Sequence, residues 1–269
     1  MVNKDLVSVV IPMYNSRDYI QETLSSVLKQ TFKNLEVIIV DDGSTDDSVE
    51  IVKKTIHATG EDRVKIFNLT SNSSTPAIPR NHGIRAAHGR YIAFLDSDDV
   101  WHPEKINIQL DLMKASNSYM CSSFSTDFRN NLIFYPVQKK TSKFFFYISL
   151  FDQMIKYRTP TSSILIDSKI IKKNLYNESL FFKGKEDLHN SLILHSRYGK
   201  SIKSSNLLVF YRKHKNQTSS SKFIMMMKTI YILLTTDLKR YNGYRLLFPL
   251  FLITNFIFYI YFRIILKKL

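Results

Sequence analysis

An α/β fold, with a mostly parallel sheet covered by helices on both faces, is the architecture the sequence predicts, and three observations predict it. Continuous apolar runs recur at 6–11, 35–40 and 91–95, as expected of strands buried on both faces. Between the first two runs, apolar residues fall at helical spacing. Acidic clusters follow the second and last runs. Strands alternating with helices in this way form parallel sheets.

Leu6-Val7-Ser8-Val9-Val10-Ile11 is the first strand, ended by Pro12. Tyr19, Ile20, Thr23, Leu24, Val27 and Leu28 mark one face of the helix that follows. Leu35-Glu36-Val37-Ile38-Ile39-Val40 is the second strand. After it, Ser44-Thr45-Asp46-Asp47 offers a hydroxyl cap and early acids to a helix running to about Thr59. Val64-Lys65-Ile66-Phe67 is a short third strand, and Pro79 to Ala87 a helix stopped by Gly89. Tyr91-Ile92-Ala93-Phe94-Leu95 is the fourth. Residues 117–160 are rich in Phe, Tyr, Lys and Ser without a clean period, and no element is predicted there. Helical spacing returns from Glu186 to Leu194.

The 269 residues, 44% of them hydrophobic, can bury one substantial core or two modest ones, and a single catalytic domain with an appended C-terminal element is expected. A lone cysteine, Cys121, cannot form an internal disulfide, which suits a reducing compartment and a small buried apolar role. Met1 to Asp5 carries no basic region leading into a long apolar one, so no secretory signal is expected. The net charge of +15 is uneven: residues 200–269 hold 13 basic residues against one acid, Asp237. No recognisable nucleic-acid motif accompanies this charge, and no nucleic-acid partner is expected.

Open α/β sheets bind ligands outside the carboxyl ends of their strands. Pro12-Met13-Tyr14-Asn15 follows the first strand, Asp41-Asp42-Gly43-Ser44 the second, and Asp96-Ser97-Asp98-Asp99 the fourth. Five carboxylates therefore converge on one rim. Nucleotides are held there by glycine-rich loops or by a metal bridging carboxylates to phosphate. No two of the seven glycines stand two apart, which excludes G-x-G-x-x-G, and G-x-x-x-x-G-K fails as well. The metal route remains, since hard carboxylate oxygens hold Mg²⁺ or Mn²⁺ against a pyrophosphate. Taken alone, the acidic motif could also be a solvated turn before the helix expected near Pro103.

Val9-Val10-Ile11-Pro12-Met13-Tyr14-Asn15, Leu28-Lys29-Gln30-Thr31-Phe32 and Ile39-Val40-Asp41-Asp42-Gly43-Ser44-Thr45-Asp46 resemble the opening of family 2 glycosyltransferases with the GT-A fold. Arg80-Asn81-His82-Gly83-Ile84 and the run from Tyr91 to Asp99 extend the match. It is dense over roughly 6–116 and thinner at 180–190. The resemblance implies a Rossmann-like, mostly parallel sheet and three regions. These are a nucleotide-sugar-binding half at 1–116, an acceptor and catalytic-base half at 117–205, and a basic, apolar membrane-associating region at 206–269.

The resemblance also implies roles. Pro12, Tyr14 and Asp42 would line a uracil pocket with Asp41 beside them, and Arg80 and Asn81 would approach the donor. Asp96 would touch ribose and metal, Asp98 the metal, with Asp99 sharing it. Glu186-Asp187 matches the pair whose Asp is the catalytic base; read alone, it is an acidic first turn complementing a helix dipole. One base without a second nucleophile implies single displacement with inversion, from an α-linked donor to a β-linked product. Processive members carry Q-x-x-R-W, and the only tryptophan here is Trp101, so single addition is implied.

Residues 246–266 are about long enough to span a bilayer, but Pro249, Asn255 and Arg263 interrupt them. With the surrounding basic residues, an anchor lying on an anionic leaflet fits better than a clean span, the alternative being a buried helix. Small basic enzymes of this kind resemble bacterial enzymes of O-antigen and lipopolysaccharide synthesis. That implies UDP-glucose or UDP-galactose as donor and an N-acetylhexosamine-diphospho-undecaprenol acceptor, met at the cytoplasmic face of the inner membrane by a peripheral protein. The rivals are a capsule or other surface-glycan enzyme with a different donor, and a catalytically dead membrane-bound scaffold.

Overall fold

The computed structural model describes residues 5–128, 144–156, 159–214 and 222–236. In chain order these form β1 (Val7–Met13), α1 (Ile20–Leu28), β2 (Leu35–Asp41), α2 (Ser48–Thr59), β3 (Val64–Asn68), α3 (Ala77–Ala86), β4 (Tyr91–Phe94), β5 (Val100–Trp101) and α4 (Lys105–Ser116). They continue with β6 (Met120–Phe128), β7 (Phe145–Ile148), α5 (Leu150–Ile155), β8 (Leu165–Asp167), α6 (Ser168–Ile171), α7 (Glu186–Tyr198), β9 (Ser201–Arg212) and α8 (Lys222–Thr235).

The strands join in one sheet of order β3-β2-β1-β4-β8-β6-β9-β5, with β7 also on β9. β1, β2 and β4 are buried along their whole length, as their apolar runs require. Alternate residues of β1 feed opposite faces, since strand side chains have a period of two. Val7, Val9 and Ile11 pack with Leu24 and Val27 of α1 and with Ile106 and Leu110 of α4. Val10 points the other way, to Ile84 of α3, Ile171 of α6 and Tyr176. Gly83 is required on that face: a Cβ there would lie 2.4 Å from Val10 Cγ1.

The expected mostly parallel sheet holds only for its first part and needs correction. β1 with β2, β1 with β4, and β2 with β3 pair parallel, as does β6 with β9. β4–β8, β6–β8, β5–β9 and β7–β9 are antiparallel. The reason is connectivity: α1, α2 and α3 are crossover helices between the consecutive strands β1 to β4, whereas the strands after α4 pair with partners far away in the chain. Strands from the 1–116 and 117–205 regions thus share one sheet. Residues 246–266 lie outside the described residues. Among those described, no helix is long and apolar enough to cross a membrane.

Candidate active site

The acidic turn sits at the carboxyl end of β4, directly after Leu95. Four elements lock it in place. Thr23 of α1 turns its hydroxyl to the carbonyls of Ser97 and Asp99, at 3.0 and 2.9 Å. Ser16 and Ser97 share a hydroxyl–hydroxyl bond of 2.6 Å. Ser162, in the turn Thr161–Ser163 before β8, accepts from the Asp96 amide at 3.1 Å and donates to Asp99 Oδ2 at 2.6 Å. Arg212, ending β9, donates its amide to Asp99 Oδ1 at 3.1 Å and its Nε to the Asp98 carbonyl at 2.8 Å. Its guanidinium also pairs with Glu22 of α1.

Asp99 is consequently fully buried with both oxygens occupied. Asp99 was expected to share a metal; each of its oxygens accepts a hydrogen bond that holds the loop. Burial first, then Asp98 and Asp96, push its pKa well up, against the pull of Ser162 and Arg212. Asp98 is different. Its Oδ2 lies 2.9 Å from Nε2 of His214, whose ring stacks 4.8 Å from Tyr19. Burial and the neighbouring Asp96 raise the Asp98 pKa, with His214 opposing.

Arg80 of α3 joins the two acidic motifs. Its Nη2 reaches Asp96 Oδ1 at 2.6 Å and its Nη1 reaches Glu186 Oε1 at 3.0 Å, on the first turn of α7. The guanidinium is buried under the Tyr176 ring, 5.6 Å from the centroid. Burial works against its charge, but the two carboxylates more than compensate and hold it protonated. Glu186 is itself buried, and its Oε2 has no partner. Asp187 remains half-buried, with Oδ1 accepting from the Leu188 amide at 2.7 Å. Burial, reinforced by Glu186 and opposed by Arg80, raises its pKa from 3.8 to about 6.

On the other side of the rim, Gly43 has φ +73° and backs onto Asn72, where a Cβ would come within 2.8 Å of the amide nitrogen. That turn presents the preceding pair. Asp42 accepts from the amide and hydroxyl of Ser73 at 3.0 and 2.9 Å, while burial raises its pKa. Asp41 accepts from the Ser44 amide at 3.0 Å, and among the described residues its Oδ1 has no partner. Pro12 is buried in β1; Tyr14, just beyond, is 45% exposed. Asn81 lies behind the rim and not on it. Its amide donates to the Tyr176 carbonyl and Glu178 and accepts from the Tyr176 amide, at 2.8, 2.8 and 2.9 Å, so it supports the cleft through Tyr176.

Sequence reasoning missed Ser73, Ser162, Tyr176, Arg212 and His214. The last two carried a signal, a basic Arg212-Lys213-His214 at the end of the apolar run 207–211. A divalent cation at the acidic turn would have Asp98 as its first protein ligand. Oxygen donors from Asp98 and Asp96 and a nitrogen donor from His214 suit Mn²⁺ or Mg²⁺, and crowded carboxylates with raised pKa favour a neutralising ion. Among the described residues no three His, Cys, Asp or Glu side chains are grouped so that they could hold a metal ion by themselves. The remaining ligands would therefore come from water and from the bound phosphates.

Residues 8–176 match the profile of glycosyl transferase family 2. The chain is 32% identical over 244 residues to UDP-Glc:alpha-D-GlcNAc-diphosphoundecaprenol beta-1,3-glucosyltransferase WfaP of Escherichia coli, covering 88% of this chain and 89% of that one. It is 46% identical over 123 residues to the putative teichuronic acid biosynthesis glycosyltransferase TuaG of Bacillus subtilis, covering 45% and 48%. Against an uncharacterized glycosyltransferase of Rickettsia conorii it spans only 18% of that protein's length. The fold matches TarS of S. aureus in complex with UDP, with TM-score 0.65, 24% identity and coverage of 87% and 67%. It also matches a mannosyltransferase of Pyrobaculum calidifontis in complex with GDP-Man and Mn²⁺, at TM-score 0.62, 14% identity and coverage of 92% and 72%. The chain belongs to glycosyl transferase family 2.

Proposed function

We propose that this chain is an inverting, non-processive hexosyltransferase. It moves one hexose from UDP-glucose or UDP-galactose, in β-1,3 linkage, to an N-acetylhexosamine-diphospho-undecaprenol acceptor in O-antigen synthesis. It works as a peripheral protein at the cytoplasmic face of the bacterial inner membrane, held there by the basic region 206–269. The observation that carries this reading is the Arg80 bridge from Asp96 to Glu186, which sets a half-buried carboxylate of pKa about 6 beside the acidic turn. The end-to-end similarity to WfaP supports the donor, acceptor and linkage.

Each residue then has a task. Asp41 offers its unpartnered Oδ1 to a base N–H, next to Pro12 and Tyr14, while Ser73 holds Asp42. Asp98 and His214 would hold Mn²⁺ or Mg²⁺, which when bound neutralises charge on the leaving diphosphate. Arg80 orients Asp96 and Glu186. Asp187 takes the proton from the acceptor hydroxyl as that oxygen attacks the anomeric carbon.

A second reading, a different donor in capsule or other surface-glycan synthesis, is favoured by the similarity to TuaG over 45% of the chain. A panel of UDP-sugars offered with a synthetic N-acetylglucosamine-diphospho-lipid separates the two. One hexose added from UDP-glucose or UDP-galactose, β-1,3 by NMR, supports the first. Transfer from another donor only, or to another acceptor only, supports the second.

A further inference from the structure

Leu180, Phe181, Ile224, Met227 and Tyr231 make one apolar face beside the catalytic helix. Leu180 and Phe181 are 59% and 44% exposed and lie in the turn Leu180–Phe182, just ahead of Glu186-Asp187. Ile224, Met227 and Tyr231 recur three and four apart, which is one stripe of α8, and are 49%, 48% and 47% exposed. The two parts are joined. The Phe181 and Tyr231 rings stand 4.6 Å apart, and Lys228 Nζ donates to the Lys183 carbonyl at 3.0 Å. The opposite side of α8 is buried, with Ile232 and Leu233 packed on Leu188 and Leu192 of α7 and Leu150 of α5. So α8 braces the helix that carries Asp187 with one side and leaves the other open.

We infer that this face docks on an anionic lipid surface and so presents Asp187 to an acceptor held in that surface. The inference deepens the lipid-linked-acceptor reading above and rests on it for the acceptor. Charge selects the occupant. Residues 179–185 and 222–236 contain four lysines (183, 185, 222 and 228) and no acid. Large apolar side chains set among lysines suit the boundary between acyl chains and anionic headgroups. Lys183, Lys185 and Lys228 oppose pairing with a second copy, because a two-fold interface would bring like charges together. Chain continuity points the same way. Beyond α8, residues 237–269 hold nine aromatic and six basic residues against one acid.

The test is co-sedimentation of the full chain with phosphatidylglycerol-containing vesicles and with neutral phosphatidylcholine vesicles, for wild type, Phe181→Glu and Met227→Glu. Both substitutions are on exposed positions, and an unchanged melting temperature confirms the fold of each. Wild type should pellet with anionic vesicles and more weakly with neutral ones. Each variant should partition about tenfold less, because a charge replaces inserted apolar surface. Transfer to a vesicle-borne polyprenyl acceptor should fall in parallel, while transfer to the same sugar diphosphate on a short soluble alkyl chain stays at the wild-type rate. Variants that bind vesicles as well as wild type overturn the inference, as does a wild type that ignores anionic vesicles. Loss of a dimer in place of vesicle binding would assign the face to a second copy and overturn it too. If wild type binds vesicles through this face but transfers to neither acceptor, the docking face stands and the proposed reaction fails.

Discussion

His214 and Asp98 meet side chain to side chain although 116 positions separate them, with the imidazole Nε2 2.9 Å from the carboxylate Oδ2. Arg212 makes the meeting possible by tying the end of β9 to the backbone and side chains of the acidic turn. Transfer should therefore stop in EDTA and return with Mn²⁺ or Mg²⁺. His214→Ala should weaken the apparent metal affinity by at least the roughly 10–100-fold seen when a ligand's supporting partner is lost. A titration of rate against Mn²⁺ measures this. Full activity in EDTA contradicts the assignment.

The adjacent Asp98 and Asp99 should separate cleanly on mutation. Asp98→Ala removes a carboxylate at the cleft and should abolish transfer in a chain that melts near wild type. Asp99→Ala strands the Ser162 hydroxyl and the Arg212 amide in a buried site, which should destabilise the fold by about 1–3 kcal/mol. Denaturant titration of both variants, set beside their activities, checks it. The reverse pattern would return Asp99 to the metal.

Much of this was legible in the sequence, and the boundary is instructive. The first parallel strands, their helices and the carboxylate rim all followed from local periodicity and from what stands after each strand. Asp98 and Asp99 could not be told apart, because the difference lies in Ser162 and Arg212, 63 and 113 residues downstream. The antiparallel half was hidden for a related reason: β8 is three residues long and β5 two, too short to show any period. Asn81, expected to approach the donor, hydrogen-bonds Tyr176 and Glu178, partners that motif spacing does not reveal.

Asp187 and Glu186 start the same helix, so their side chains diverge by about 100°. Arg80 holds Glu186, which leaves the half-buried Asp187 as the proposed base. Asp187→Asn should lower the transfer rate by about 10²–10⁴-fold while UDP affinity stays near wild type. Glu186→Gln should be milder, acting mainly on acceptor affinity. A dead Glu186→Gln alongside an active Asp187→Asn would reverse the two roles.

The pH dependence follows from the same carboxylate. Its pKa is raised from 3.8 to about 6 in the folded chain, and the base works only when deprotonated. The rate should climb through about pH 6 and level off above pH 7. The linkage has the matching sign: a carboxyl with a raised folded pKa favours the folded state when protonated, and that contribution is lost as pH rises through about 6. Asp187→Asn should accordingly melt no lower than wild type at pH 7.5, and thermal denaturation at pH 5 and 7.5 tests it. A marked loss of stability at pH 7.5 would mean that the ionised group is structural.

The most direct test is transfer itself. Wild type and Asp187→Asn, each with UDP-glucose, Mn²⁺ and an N-acetylglucosamine-diphospho-lipid, are compared by mass spectrometry of the lipid product. The account expects a single added hexose from wild type, and product formation by Asp187→Asn reduced at least about 100-fold although it still binds UDP. No hexose product from any UDP-sugar, in a wild-type chain that binds UDP, would contradict it.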